Sequence, residues 1–513
     1  MPEAMPAGRQ ELSDLLKVRR EKLEEFKKAG INPYPYKYER TIFSADILKK
    51  FEAIKDHDQS EEKVVIAGRL MTKRGHGKAS FATIQDESGR VQIYARQDVL
   101  GDKNYELYTK VDIGDFIGVK GHVFRTKTGE LTVKAEEWTL LSKNLHPLPE
   151  KWHGLTNKEL RYRQRYVDLM VNSEVKDVFI KRSKIVSGIR SFLEGKGFME
   201  VETPILHVMQ GGAAARPFKT HHEALDMPLF LRIAPELYLK RLLVGGFEKV
   251  FEVGRSFRNE GISFKHNPEY TMLEVYQAYA DYNDVMLLAE NMIAKVIEES
   301  VGTLEIEFKG EKLNLKPPFK KIPLLEALKH YGNIDIEGKS EDEIKNIGKE
   351  KGIEGALEIG IGKVINELYD KFVEPNLRQP TFIIDYPIET SPLAKKKRDN
   401  PRLVERFELI VAGMEIANAF SELNDPIDQR ERFQKQADLK AAGDLEAESM
   451  DEDFLQALEY GMPPAGGLGV GIDRLVMLAT NSPSIRDVIL FPHMRPLPRA
   501  EAKEEELEAL TDQ

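Results

Sequence analysis

The chain has 513 residues, more than one ordinary domain holds, so two or three domains are expected. It is 41% hydrophobic and 31% charged with a formal net charge of −10, which argues against a generally basic nucleic-acid binder but leaves room for a local basic patch. The absence of cysteine excludes disulfides, thiol catalysis and zinc–thiolate sites, and with no apolar run of membrane-spanning length and no signal-peptide pattern a cytoplasmic protein without a membrane partner is expected.

Residues 9 to 28 carry Leu12, Leu15, Leu16, Leu23 and Phe26 at near-helical spacing, and Gly30 stops that helix. INPYPY then leaves as an extended linker. From Val64 to about Leu141 the pattern changes to five short strand-like runs, VVIAGRLM, ASFATIQD, RVQIYAR, FIGVKGHVF and ELTVKAEEW, separated by turn formers. Such runs suit a small barrel of the OB type, or any small β-sandwich. HPLPEKWHGL reads as a linker. Residues 178 to 193 then put Ile185, Ile189, Phe192 and Leu193 on one helical stripe, closed by Gly195 and Gly197, and FMEVETP alternates as a strand up to Pro204. The stretch 285–375 is rich in Lys and Glu with scattered helical patterns and says little beyond fold content or an insertion. The tail EAKEEELEAL reads as a charged, solvated segment.

Three stretches carry candidate chemistry. In FRNEGISFKHNPEYTMLEVYQAY, Arg258 and Glu260 stand two apart and share a strand face. After a loop containing Pro268, Tyr270, Met272, Glu274 and Tyr276 share one face, with Phe257, Leu273 and Val275 expected behind. The charges line either a cavity or a wet sheet face with ordinary ion pairs. In AGGLGVGIDRLVMLAT, Gly467, Gly469 and Gly471 fall on one strand face and Leu468, Val470 and Ile472 on the other. Three glycines on one face suggest that something flat approaches the backbone, or that a helix packs closely there. Arg474, at the start of the following helix, suits a phosphate. In ERFELIVAGMEIANAFSELND, Glu408 and Glu415 flank an Ala412–Gly413 step that turns the chain. Two near carboxylates suit Mg²⁺ with substrate phosphates. Parity places Glu415 opposite to Asn418, so a bulge or bend is needed if both serve one pocket. The alternative is a hairpin with an acidic edge.

Together these stretches resemble the three motifs of the class II aminoacyl-tRNA synthetases. The helix leading to Pro204 resembles motif 1, the dimer-forming element; FRNE resembles motif 2; GLGVGIDR resembles motif 3. The preceding barrel matches the subgroup serving aspartate, asparagine and lysine, and GGAAARPFKTHH, HNPEYTMLE, YQAYADY, EIANAFSELNDP and REKLEEFKKAGINPYP are similar to the lysyl-tRNA synthetase family. The resemblance implies a multidomain α+β chain, an N-terminal OB-fold β-barrel followed by a class II synthetase antiparallel-sheet catalytic domain. Its expected borders are 1–61 for an N-terminal helix and linker, 62–145 for the anticodon-binding barrel, 146–175 for a linker, 176–500 for the catalytic domain and 501–513 for the tail.

It also implies ligation of L-lysine to lysine tRNA with ATP and Mg²⁺, by a homodimer. Arg258 would hold the α-phosphate and the amino-acid carboxylate, and Arg474 the ATP phosphates, as the catalytic pair. Glu260 and His266 would contact ATP, Tyr270 would stack on adenine, and Glu408 and Glu415 would hold Mg²⁺. Gly212 and Glu236 would take the lysine α-amino group, Asn418 would orient its carboxylate, Glu274, Tyr276 and Glu422 would surround the side-chain ammonium, and Phe420 would also belong to the lysine site. Arg69, Phe81 and Gln92 would read the anticodon, unless Phe81 is a barrel-core residue and the basic run 63–97 a solvated face. Ala417 and Ala419 depart from the family, where glycine is frequent.

Overall fold

The computed structural model describes residues 7–56, 58–149, 155–209, 211–213, 215–441 and 449–497. The expected charged tail, and residues 150–154 of the expected linker, lie outside the described residues. The chain forms two compact units. The first runs from the N-terminal helix to Arg161 and takes in Tyr166–Val171; the second comprises Tyr162–Arg165 and Asn172–Arg495. Among the described residues, no helix is long and apolar enough to cross a membrane.

In the first unit, helix Ala7–Lys28 ends where Gly30 takes φ +82°. Its Phe26 is buried in the barrel core while Leu15 is exposed. Five strands, Gln59–His76, Ala79–Gln85, Arg90–Arg96, Phe116–Arg125 and Leu131–Ser142, close a barrel in the order first, second, third, fifth, fourth. The third and fifth strands pair in parallel and the other pairs are antiparallel. This is the OB-type barrel, and alternate residues such as Val64, Ile66, Ile84, Ile93, Val119 and Val133 fill it. Helices Gln97–Leu100 and Asp102–Thr109 join the third strand to the fourth.

The second unit is built on an eight-stranded sheet. Its order is Lys320–Pro323, Thr381–Pro387, Leu403–Val411, Met414–Ser421, Ala465–Gly471, Glu269–Ala278, Lys249–Phe257 and Met199–Glu200, antiparallel except for the two edge pairs. Helices Ser173–Glu194, Tyr282–Val301 and Ile472–Ala479 contribute to the main core on one face. The strand expected to run to Pro204 is only Met199–Glu200. Beyond it, Thr203 donates through both backbone N and Oγ1 to Glu252, which replaces ladder pairing.

The uninformative stretch 285–375 proves to be well structured. It holds most of the Tyr282–Val301 helix, the hairpin Glu305–Phe308 with Glu311–Asn314, the edge strand Lys320–Pro323, and helices Leu324–Gly332, Glu341–Glu350 and Ile361–Phe372. Leu324, Leu328, Ile344, Val364 and Leu368 from those last helices form a core of their own, continuous with Ile383 and Val404 of the sheet.

Candidate active site and nucleic-acid surface

Strand Glu269–Ala278 shows how period-two alternation builds the site. Leu273 and Val275 enter the main core, while Tyr270, Met272, Glu274 and Tyr276 line a cavity of about 170 Å³ on the other face. Phe257, expected behind them, is only half-buried and outside the core clusters. Gly212, Glu236, Arg258, Glu260, His266, Glu415, Asn418, Phe420, Glu422 and Arg474 line the same cavity. Glu408 lines a wider adjoining cleft of about 1370 Å³, which Arg258, Glu415, Asn418 and Phe420 also border. Residues read from three separate stretches therefore meet at one place.

Arg258 follows directly on strand Lys249–Phe257. Its N–H donates to Pro268 O at 2.9 Å and closes the intervening loop. Its guanidinium lies 5.4 Å from the Tyr270 ring, and its buried Nε has no hydrogen-bond partner. Burial opposes the charge, yet Tyr270, Glu260, Glu415 and Glu274 hold the guanidinium above its ordinary value. A buried cationic N–H without an acceptor is costly, and here it borders a cavity. The arrangement suits an anionic ligand.

Arg474 stands in the first turn of Ile472–Ala479 and donates to Glu415 O at 2.7 Å, to Glu415 Oε2 at 3.1 Å and to His266 Nε2 at 3.3 Å. His266 Nε2 thus accepts, which places the ring proton on Nδ1, 2.9 Å from Ser263 Oγ. Burial and the charges of Arg474, Lys265 and Arg258 push this imidazole down to about 4, so it is neutral near pH 7. Glu260 is exposed.

The hairpin carrying the acidic pair turns at Ala412 and Gly413, with φ +54° and +69°. The bulge that parity demanded is present. Glu408 pairs with Asn418 and Leu409 with Ala417, but Ile410 then pairs with Glu415, one residue out of step. That extra residue lets Glu415 and Asn418 line one cavity. Arg406, which the sequence reading missed although it stands two before Glu408, brackets this corner. It donates to Glu408 Oε1 at 2.5 Å, to Asn418 Oδ1 at 3.1 Å and to Ser391 Oγ at 2.8 Å. Burial, with Glu415 adding to it against the pull of Arg406, pushes the Glu408 carboxyl up to about 7. Burial also opposes ionisation of Glu415, but Arg474, Arg258 and Arg406 hold it below its usual value. Among the described residues no group of three or more His, Asp or Glu side chains is arranged to hold a metal ion by itself. Two carboxylates beside a cationic wall fit a divalent ion whose remaining ligands are phosphates and water.

The inner end of the cavity is acidic. Glu274 and Glu422 are buried, Tyr276 OH donates to Glu274 Oε2 at 3.1 Å, and Glu236 opens helix Glu236–Val244. Burial, with Glu236 beside it, pushes Glu274 up to about 8. Burial and Glu236 also raise Glu422 to about 8 despite its ion pair with Lys240. Lys240 was not among the expected residues. Glu422 keeps both oxygens out of hydrogen-bonding alignment even while ion-paired.

The glycine strand corrects one expectation. A Cβ on Gly467 would lie 1.9 Å from Glu422 Oε1 and 2.6 Å from Tyr276 Cε1, so that space belongs to the pocket's own side chains. Gly469 is approached by the Met272 methyl, and Gly471 faces the stem of Arg474. Gly212 takes φ +89°, a conformation that suits glycine. Ala417 and Ala419 both join the main core.

On the barrel, Phe81 lies between buried Ser80 and Ala82 and faces outward, so it is not a core residue. Its ring stacks on Tyr94 at 4.4 Å, and Tyr94 lies 5.9 Å from Phe124. Gln92 is on the same outer face, accepting from Thr132 Oγ1 at 2.9 Å and donating to Glu130 at 2.7 Å. Arg69 is not adjacent to Phe81. It lies opposite Gln85, donates to Gly114 O at 2.8 Å and covers the Phe116 ring at 4.2 Å. A register shift between Leu70 and Thr72 instead brings the exposed Arg74 directly opposite Phe81. The basic run is less free than its composition implied. Lys63 pairs with Glu136, Arg96 with Asp98, and Lys73 binds three backbone carbonyls.

Comparison with known proteins agrees with this geometry. Residues 157–495 match the family of tRNA synthetases class II (D, K and N), and residues 64–141 match the OB-fold nucleic acid binding domain. The lysine–tRNA ligase of Carboxydothermus hydrogenoformans is 61% identical over 488 residues, covering 95% of this chain and 99% of that protein. That of Pelotomaculum thermopropionicum is 59% identical over 496 residues, covering 96% and 97%, and that of Bacillus subtilis 53% over 489, covering 95% and 98%. With its barrel, its antiparallel sheet and a family match over most of its length, the chain belongs to the class II tRNA synthetases of the aspartate, lysine and asparagine group.

Proposed function

We propose that the chain activates L-lysine with ATP and transfers it to the 3′ end of lysine tRNA. One observation carries the choice of amino acid. Glu236, Glu274 and Glu422 are buried around one cavity, and Lys240 is the one cation ion-paired to them among the described residues. When all three ionise, two negative charges lack a resident partner. Lysine brings two ammonium groups. A pocket for aspartate would need the opposite sign.

In the first step a lysine carboxylate oxygen attacks the α-phosphorus of ATP, the bond to the β-phosphate oxygen breaks, and pyrophosphate leaves. The nucleophile is already ionised, so no general base is needed. Arg258 stabilises the charge that grows on the α-phosphate, with Arg474 holding the phosphates and Tyr270 stacking on adenine. Glu260 and neutral His266 contact the nucleotide, and Glu408 and Glu415 would hold Mg²⁺, which supplies phosphate charge neutralisation when bound. Gly212 and Glu236 receive the α-amino group, and Asn418, itself fixed by Arg406, orients the carboxylate. Glu274, Tyr276, Phe420 and Glu422 enclose the side-chain ammonium. In the second step a terminal ribose hydroxyl of the tRNA attacks the activated carbonyl, and AMP leaves.

The domain borders read from the sequence divide this work: 62–145 for the anticodon and 176–500 for chemistry, with 1–61, 146–175 and 501–513 flanking them. The cytoplasm is the proposed compartment. ATP–pyrophosphate exchange across a panel of amino acids tests the assignment. Lysine alone is expected to support exchange, and aspartate- or asparagine-dependent exchange would overturn it.

We also place the anticodon on the outer barrel face. Phe81 would stack on a base and Gln92 would bond a base edge, with Arg74 rather than Arg69 beside them because of its register. Stacking on a base is worth ~1–3 kcal/mol. Phe81→Ala is therefore expected to weaken charging of lysine tRNA roughly 5- to 150-fold. Pyrophosphate exchange should hardly change, because it needs no tRNA. Normal charging by the folded variant, or joint loss of both activities, would remove Phe81 from the tRNA site.

A homodimer completes the proposal. Met199, Ile205, Leu206, Val208 and Met209, in and after the motif 1 segment, are all exposed, an apolar group that suits a partner copy. Light scattering at micromolar concentration should give twice the chain mass. An active monomer would refute the dimer.

A further inference from the structure

Helix Glu236–Val244 presents Glu236 to the cavity and Lys240 one turn later on the same face. Lys240 is fully buried and is not part of the cavity wall. Its Nζ lies 2.6 Å from Glu236 Oε1, pairs with Glu422 Oε2, and stands 5.3 Å from the Phe420 ring. The ammonium thus bridges, from behind, the two carboxylates assigned to opposite ends of the amino acid. Burying an ammonium costs several kcal/mol unless its partners are well placed. Burial opposes this charge, but Glu236 and Glu422 outweigh it and raise the ammonium above its ordinary value.

The other charged groups facing this cluster include Arg258, which lines the same cavity and feels the Glu274 carboxylate. Glu274 and Tyr276 come from strand Glu269–Ala278. Arg232 and Glu252 lie close to Glu274 and are committed to each other at 2.5 Å. Without Lys240, three carboxylates would face one another with no ion-paired cation.

We propose that Lys240 is a positioning residue that sets amino-acid specificity: its ammonium fixes Glu236 and Glu422 and cancels one of three negative charges, leaving a site matched to a ligand with two ammonium groups. The proposal rests on the lysine reading above. It assigns the match in charge to a side chain that never touches the substrate.

The test compares wild type with Lys240→Met, which has similar length and no charge. Lysine and ATP KM values are measured from about pH 6.5 to 9, and lysine binding is followed by calorimetry in two buffers of different ionisation enthalpy. Wild type is expected to release protons on binding lysine at pH 7, because the incoming ammonium groups force raised carboxyls to ionise. Lys240→Met should bind lysine at least about tenfold more weakly, release more protons, and shift its lysine KM profile to higher pH, with ATP KM little changed. Lys240→Arg, which keeps the charge, should keep the wild-type proton count even if its bulk lowers affinity. A folded Lys240→Met with wild-type lysine KM and proton count overturns the proposal, as does an equal rise in both KM values. Should neither variant fold, release of protons by wild type supports the charge balance and absence of release overturns it. Failure of wild type to activate lysine would instead overturn the function, so the two failures are distinguishable.

Discussion

Arg258→Ala is expected to lower lysine-dependent pyrophosphate exchange by roughly 10³-fold or more while leaving the fold intact. The rate effect follows from the developing charge on the α-phosphate. A single preorganised donor to such a charge is worth about 10²–10³ in rate, and a full guanidinium on a transferring phosphoryl group 10³–10⁵, so the figure is roughly the lower end for an arginine. The stability effect follows from the free protein. Arg258 Nε is buried without a partner, so truncation leaves no acceptor of that N–H orphaned. The side chain's described aromatic contact is the Tyr270 ring at 5.4 Å, and such a contact is worth ~1 kcal/mol. Exchange kinetics with thermal denaturation on the same sample check both halves. Activity near wild type would remove Arg258 from the reaction centre. Loss of activity together with a large loss of stability would make it a structural residue.

Glu274→Gln is expected to raise the lysine KM roughly 10²- to 4 × 10³-fold, from the 3–5 kcal/mol cost of breaking a buried charge pair. ATP should be affected far less. The same change should stabilise the free protein, and the sign follows from linkage. The Glu274 carboxyl titrates near 8 in the folded protein because burial and Glu236 disfavour its charge, against an ordinary value of 4.5. The folded state therefore holds a proton that the unfolded state releases, and stability falls as pH rises from about 4.5 to 8. Glutamine removes that penalty and can still accept from Tyr276 OH, 3.1 Å from Glu274 Oε2. The gain should be on the order of a few kcal/mol above pH 8 and vanish near pH 4.5. Denaturation at several pH values and lysine kinetics read the two effects separately. An unchanged lysine KM would refute the pocket. A pH-independent stability difference would refute the buried-charge account of it.

Much of the site was legible along the chain because strands repeat every two residues. Tyr270, Met272, Glu274 and Tyr276 could be placed on one face from spacing alone, and the five-strand barrel from the alternation of its runs. The need for a bulge before Glu415 was legible too, since parity is strict; the place of that bulge, between Leu409 and Ile410, was not. The sequence reading placed Arg69, not Arg74, beside Phe81. A register shift between Leu70 and Thr72 sets Arg74 across from Phe81, and a shift of one residue carries no composition signal.

The remainder depended on residues distant in sequence. The helices between Leu324 and Phe372 carry many Lys and Glu on solvated faces, and their apolar side chains find a core only against one another and the sheet. The glycine face read as an approach for something flat or for a closely packed helix, but beside Gly467 it is Glu422 and Tyr276 that fill the space. Glu236 and Lys240 stand one helical turn apart, a spacing common on exposed helices. What makes that pair part of the pocket is Glu422, brought to the same buried point at the end of the central strand Met414–Ser421. The sequence by itself determined which chemical groups were available and which face of each strand they share. The tertiary structure decided which charges meet out of water, and burial is what turns an ordinary glutamate–lysine spacing into a pocket with a defined charge.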